Sequence, residues 1–159
     1  GPTHPPTWLP SLPLDATFRW HNSLRLFPGA ERTLDTEPSP VMVSAGGHVT
    51  PPIRYSSKER AILELLDELP GHESFHQVDV LMEGLSDLSP RRMQTLLEHC
   101  ASVKVKRLFL FFADRHRHAW RSRLDTSRVD LGSGKRVLVK GGKLDPRYNI
   151  TVPSDLEGM

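Results

Sequence analysis

The chain has a single cysteine in 159 residues, Cys100, so an internal disulfide and an all-cysteine metal site are both excluded. No apolar run reaches the length that crosses a bilayer, and no leader of the signal-peptide type precedes the first helix. The expectation is a soluble cytoplasmic protein without membrane contact. Repeats and low-complexity tracts are absent. Residue 1 is not Met: Gly1-Pro2 reads as the scar of a tag-cleaving protease, which suggests a fragment cut from a longer protein. Apolar residues make up 37% of the chain against 25% charged, yet they cluster enough to build the core of one domain, or of a main domain with a small annex.

What the chain does contain is a run of helix signals from Ser56 to Trp120. Ser56 stands three residues before Glu59, the spacing of a capping box, in which hydroxyl and carboxylate each take an orphan N–H. Behind it Ala61, Ile62, Leu65, Leu66 and Leu69 recur at helical spacing until Pro70-Gly71. Phe75, Val78, Leu81, Met82, Leu85 and Leu88 form a second stripe. Ser89-Pro90 reads as an N-cap with proline at the first helical position, opening a third stripe of Met93, Leu96, Leu97 and Cys100. Residues 102–113 are apolar at both helical and strand periods; Ser102 as an N-cap and the absence of a turn residue through Arg115 favour helix. Short one-sided helices are stable only when packed on one another and on a further layer.

Both flanks read as short strands. Residues 1–13 are a proline-rich lead-in behind the scar. Leu14 to Asn22, Ser23 to Phe27 and Val41 to Val43 are strand candidates before the helices. After them, Val129 to Leu131 reads as extended and Arg136 to Lys140 as a β-branched strand. Gly141-Gly142 then turns the chain toward Lys143-Leu144, with a last strand over Tyr148, Ile150 and Val152. Ser154 to Met159 reads as a frayed tail. The fold class expected is α+β, with a helical cluster over about 56–117. The main domain is 14–153, possibly as two lobes: strands over 14–55 and 124–153, helices over 56–123. Too few strands lie on either flank for an independent sheet, so they should share one or lean on the same helices.

Candidate chemistry is sparse. Gly132-Ser133-Gly134-Lys135 invites a phosphate-loop reading, but the glycines are too close and a strand follows where the loop needs a helix. His116 and His118 flank Arg117 at a spacing unsuited to helical zinc ligation, and arginines repel a cation. They suit a helix C-terminus instead. No nucleophile-elbow serine or kinase signature is present, so no catalytic site, metal or cofactor is assigned. Charge is the better lead. From Lys104 onward the balance is +7, and before it −5. Either the basic end meets a polyanion or the halves neutralise each other. The nucleic-acid reading names Arg115, Arg117, Arg121, Arg123, Arg128, Lys135, Arg136, Lys140 and Lys143, with Arg147 beside them. Trp120 and Tyr148 could stack among these or belong to the core. Without a reader helix the set licenses backbone contact and no sequence readout.

Three blocks carry a resemblance: Ser56 to Leu66, Val103 to Phe109, and Leu131 to Arg136 continuing through Lys140-Gly141-Gly142 to Ile150-Thr151-Val152-Pro153. With Trp8-Leu9-Pro10 and Leu24 to Pro28, their order and spacing resemble bacterial AbiEi-type antitoxins of type IV toxin–antitoxin systems, over roughly residues 8–153. The resemblance implies a C-terminal antitoxin domain that counteracts an AbiEii-type nucleotidyltransferase toxin as part of a longer transcriptional regulator. Operator DNA in such proteins is bound by an N-terminal winged-helix domain, whose pattern is not found before Ser56. Some relatives are proposed to act on the toxin in a kinase-like manner; no residue of this sequence maps to that activity. The expected partner is therefore the toxin, with phosphate-handling enzyme and non-specific nucleic-acid module as the alternatives.

Overall fold

A computed structural model describes residues 21–28, 41–44 and 53–157, with positions 7, 11, 13, 15–17 and 19 before them. Four helices form its centre: α1 (Lys58–Asp67), α2 (Phe75–Gly84), α3 (Pro90–His99) and α4 (Val103–His116). Two antiparallel hairpins flank them, β1 (Val41–Ser44) with β2 (Ile53–Ser56), and β3 (Lys143–Asp145) with β4 (Ile150–Val152). The class is α+β, as expected.

Helix α4 is the element on which the others pack. Val105, Leu108, Phe109, Leu110, Phe112 and Ala113 are buried around its whole girth. That explains its double periodicity: a helix covered on all sides loses its polar stripe. Both α1 and α2 lie against it, and Phe109 stacks on Trp120 at 5.7 Å between ring centroids. The third stripe is borne out in full, since Met93, Leu96, Leu97 and Cys100 are all buried. Ser89 caps α3 through its hydroxyl, with Pro90 in the first turn, as the spacing predicts.

The first two stripes need correction. The α1 cap is Ser57, which accepts from the Arg60 amide, whereas Ser56 donates to Glu64 Oε2 at 2.8 Å. Leu63 joins the core; Ala61 and Leu81 are exposed. Leu63 and Leu66 are fully buried, while Ala61 is exposed and Leu65 only partly buried at the core's edge. A stripe spaced by threes and fours can thus be rotated by one residue without any change in its period.

The strand expectations divide. Val41 to Val43 is a strand, and its partner Ile53–Ser56 was not anticipated. Ser23 to Phe27 is instead a 3₁₀ turn, Ser23–Arg25, whose entry is fixed by the Asn22 side chain accepting from the Leu24 amide. Leu26 and Phe27 then drop into the core. Of Leu14 to Asn22, the described positions are not in a strand and the rest lie outside the described residues. Val129 to Leu131 is irregular, with Val129 buried.

Arg136 to Lys140 makes a single bridge to Ile150 rather than a strand. The Thr151 hydroxyl accepts from the Leu138 and Val139 amides at 2.8 and 3.1 Å, so a side chain takes the place of the backbone ladder. Gly142 is required at the turn that follows, because a Cβ there would lie 2.5 Å from the Val152 carbonyl oxygen. Tyr148 belongs to the β3–β4 turn, where Asp145 Oδ2 accepts from its amide. The expected frayed tail is a 3₁₀ turn, Ser154–Glu157, anchored by buried Leu156.

The two hairpins do not share a sheet. Each leans on the helical cluster instead: β2 borders α1, and Ile150 and Val152 enter the common core.

Candidate functional site

Arg107 sits inside an apolar stretch of α4 and is only 3% exposed. Its guanidinium is held by three backbone carbonyls. Nε donates to Leu131 O at 2.8 Å, and Nη1 to Gly134 O at 2.6 Å and Asn149 O at 3.3 Å. Burial, then the nearby Arg136 charge, press its pKa downward, although an arginine keeps its proton under any ordinary condition. The loop that resembles a phosphate cradle therefore turns carbonyls, not amides, toward its centre, and that centre is already filled by a cation. Gly132 adopts a φ of +61° against Val103, which brings the loop this close to the helix. No helix follows Lys135. The geometry a phosphate loop needs, amide groups converging at a helix N-terminus, is not what this loop presents.

At the other end of α4 the predicted arginines gather. Arg117 closes the helix in the left-handed conformation, with φ 54°. Arg115 meets buried Asp79 through two bonds, Nε at 2.8 Å and Nη2 at 3.3 Å, and His116 Nε2 lies 2.8 Å from the same carboxylate. His118 Nε2 faces the Met82 carbonyl at 2.8 Å. The histidines thus work at the helix terminus, as their spacing suggests, each tying α4 to α2. Among the described residues, no three His, Cys, Asp or Glu side chains converge as a metal set.

One turn further in, Asp114 accepts from the Tyr148 hydroxyl and forms ion pairs with Arg121, whose Nε lies 2.8 Å away, and with Arg147, whose Nη1 lies 3.0 Å away. Burial, reinforced by the Asp114 hydrogen bond, raises the Tyr148 phenol above its ordinary value. Asp114 and Tyr148 line a polar cleft of about 340 Å³ with Arg115, Arg117, Asp145 and Arg147. The cleft holds arginines already bridged to carboxylates. It is a network that orders the end of α4, and among its arginines Arg117 has no carboxylate partner among the described residues.

The nine predicted residues separate into four places, one of them Arg123 alone, exposed at the end of the 3₁₀ turn Ala119–Arg123. Arg115, Arg117 and Arg121 come together at the end of α4. Arg128 lies apart against α3, where Glu98 takes its Nε at 3.1 Å. Lys135, Arg136, Lys140 and Lys143 are exposed on the C-terminal segment. Arg117, Arg123, Lys135, Arg136 and Lys140 have no ion-pair partner among the described residues. Sequence reasoning missed Arg107, Asp79 and Asp114. Arg107 left a signal, a charge embedded between Val105 and Leu108-Phe109; the two aspartates left none, because their partners are distant in sequence.

Cys100 is buried and its thiol is pushed up to about 11 by desolvation, the state of an inert core residue rather than a nucleophile. No helix among the described residues is long and apolar enough to cross a membrane.

A family model described as transcriptional regulator, AbiEi antitoxin, type IV toxin–antitoxin system, matches residues 2–153. Among curated proteins and solved structures, none matches.

Proposed function

This chain belongs to the AbiEi family of antitoxins and transcriptional regulators of type IV toxin–antitoxin systems, and on that premise we propose that it counteracts an AbiEii-type nucleotidyltransferase toxin and assists autoregulation of its operon as part of a longer regulator. The match over nearly the whole length carries this reading. The fold supports it by coupling the resembling blocks physically. Ser56 to Leu66 forms α1, Val103 to Phe109 opens α4, and Arg107 in the second block grips Leu131 and Gly134 in the third. Blocks that resemble a family together also fold as one unit.

In this reading the domain acts by binding rather than by turnover, since Gly132 to Lys135 wraps a side chain and Cys100 is buried. The deciding experiment is co-expression with the neighbouring nucleotidyltransferase reading frame, scoring both growth and co-purification. Growth rescue is the expected result. Unrelieved toxicity with soluble, folded domain present would sink the proposal.

A second reading rests on five exposed cations that have no ion-pair partner among the described residues, Arg117, Arg123, Lys135, Arg136 and Lys140. Here the domain also touches nucleic acid through phosphates, weakly and without sequence preference.

A further inference from the structure

The sequence places Ala61, Leu65, Leu81 and Leu85 in its core stripes, yet none of them is fully buried. Ala61 is exposed, Leu81 is 42% exposed, and Leu65 and Leu85 only flank the core. They meet one another instead. With Lys58 and Ile62 they line an apolar groove of about 340 Å³ between α1 and α2. An apolar surface at helical spacing that the molecule's own core does not use is a face built for contact.

The groove does not end there. Ala61 and Leu65 are also walls of a second cleft, of about 450 Å³, which carries Glu64, Glu68 and Glu73 with Arg19 and His21. The two depressions therefore adjoin across the Ala61–Leu65 wall of α1, one apolar and the other carrying carboxylates. Some of that charge is engaged: Arg60 Nε holds Glu64 at 2.7 Å, and His21 meets Glu68. Glu73 bonds the Ser74 amide at 3.2 Å and has no cationic partner among the described residues.

We propose that this joint groove is a docking site for a cationic amphipathic helix of a protein partner, its leucine-type anchors seated between Leu65, Leu81 and Leu85 and its Lys or Arg side chains meeting Glu68 and Glu73. Charge decides the occupant. An acidic partner would meet three carboxylates against one arginine and a histidine, and a purely apolar one would strand Glu73 beside itself. The groove follows α1, whose ten residues run about 15 Å, which sets the length of helix it accommodates. This contact surface goes beyond the antitoxin reading and stands whether or not the toxin is the partner.

The probe is a fluorescein-labelled peptide of about ten residues, with leucines one turn apart and arginines one turn further on. Two controls accompany it, one with the same residues at scrambled spacing and one with glutamates for the arginines. Fluorescence anisotropy against the full chain should show saturable binding of the first peptide alone. Leu81→Gln and Glu73→Lys should each weaken it by at least about ten-fold. Both sites lie outside the core, and circular dichroism melts unchanged from wild type will confirm the fold. Equal binding of the scrambled or acidic peptide overturns the proposal, as does no binding of any. A concentration-dependent doubling of mass by the protein alone, lost in Leu81→Gln, also overturns it, by assigning the groove to a second copy.

Discussion

The acidic front of the molecule and its basic back dispose of their charge differently. In the front, carboxylates close helix ends and hold other elements. Glu59, 1% exposed, accepts from the Ser89 amide at 2.8 Å and from Arg92 Nη1 at 3.1 Å, so a side chain of α1 caps the start of α3. In the back, cations do the corresponding work on carbonyls. Lys104 Nζ donates to Asp67 O and Leu69 O, both at 2.7 Å, and closes the end of α1. Arg107 does the same for the Gly132 loop. The halves also meet directly, as Lys104 with Asp67, Arg115 with Asp79 and Arg128 with Glu98. Much of the sequence's charge asymmetry is thus internal wiring. Of the basic back, Arg117, Arg123, Lys135, Arg136 and Lys140 stand outside this wiring, exposed and without an ion-pair partner among the described residues.

The sharpest test of this wiring is Arg107. Glu59 is an anion paired with a cation, whereas Arg107 faces carbonyls alone, so its loss takes the side-chain donor from Leu131 O and Gly134 O, while Asn149 O keeps the Arg136 amide. Arg107→Met should cost about 3 kcal/mol and release the Gly132 to Asn149 region first. Urea unfolding measures the first effect and amide exchange the second. Arg107→Lys keeps the charge without the fork and should fall between. A variant as stable as wild type would show that the carbonyls find water instead.

Glu59→Ala comes next, at about 2 kcal/mol, and it carries a pH signature. Burial pushes the Glu59 carboxyl up, but the Ser89 amide, its own amide, Arg92 and Ser57 together hold it below the ordinary value. A lowered pKa in the folded state means the stabilisation is full above the unfolded carboxyl range and is lost as pH falls through the folded value. The gap between wild type and Glu59→Gln should therefore shrink on acidification below about pH 4. A gap constant down to pH 3 would place the anchoring elsewhere.

How much of this was legible depends on whether partners are local. Ser89-Pro90, Ser102 and the third stripe are readable because caps and their amides lie within a turn of each other. The α4 helix was readable only through its boundary residues, since burial on all sides erases the period. Ser57 displaced Ser56 because two adjacent serines offer one spacing each. The strand expected at Arg136 to Lys140 failed, because β-branched residues signal a strand there but Thr151 supplies the acceptor. Of the site, the sequence yields the list of cations but not their fates. Asp79, Asp114 and Glu98 decide which arginines are engaged, and apart from the Asp114–Arg121 pair the partners lie some 30 residues or more apart.

The Asp114 network gives a smaller effect and a spectroscopic one. Asp114→Asn leaves Arg121 and Arg147 without an anion and should cost about 1 kcal/mol. Tyr148 should then ionise at lower pH than in the parent, though still above an exposed phenol because burial, the larger cause, persists. Absorbance titration at alkaline pH in a Tyr55→Phe background isolates that group. By linkage, a raised phenol pKa stabilises below the unfolded value near 10 and loses its contribution as pH rises through the folded one. An unchanged Tyr148 titration would mean that burial alone sets it.

The smallest effect is the one that separates wired cations from free ones. If the free set contacts phosphates, the domain should bind duplex DNA weakly at low salt, with a log–log salt slope near −0.9 for each phosphate neutralised. Arg117→Glu with Arg123→Glu should then flatten the slope by about two while leaving the melting temperature alone, since neither side chain has an ion-pair partner among the described residues. Arg121→Gln should do the reverse, because its guanidinium is already committed to Asp114 and the Tyr148 hydroxyl. It should lower stability and leave the slope in place. The contrast between the two variants matters more than either value: a slope that responds to Arg121 as much as to Arg117 and Arg123 would mean that DNA breaks the Asp114 network. Absence of binding at low salt would leave the five cations as solvated surface charge, and the nucleic-acid reading would fall.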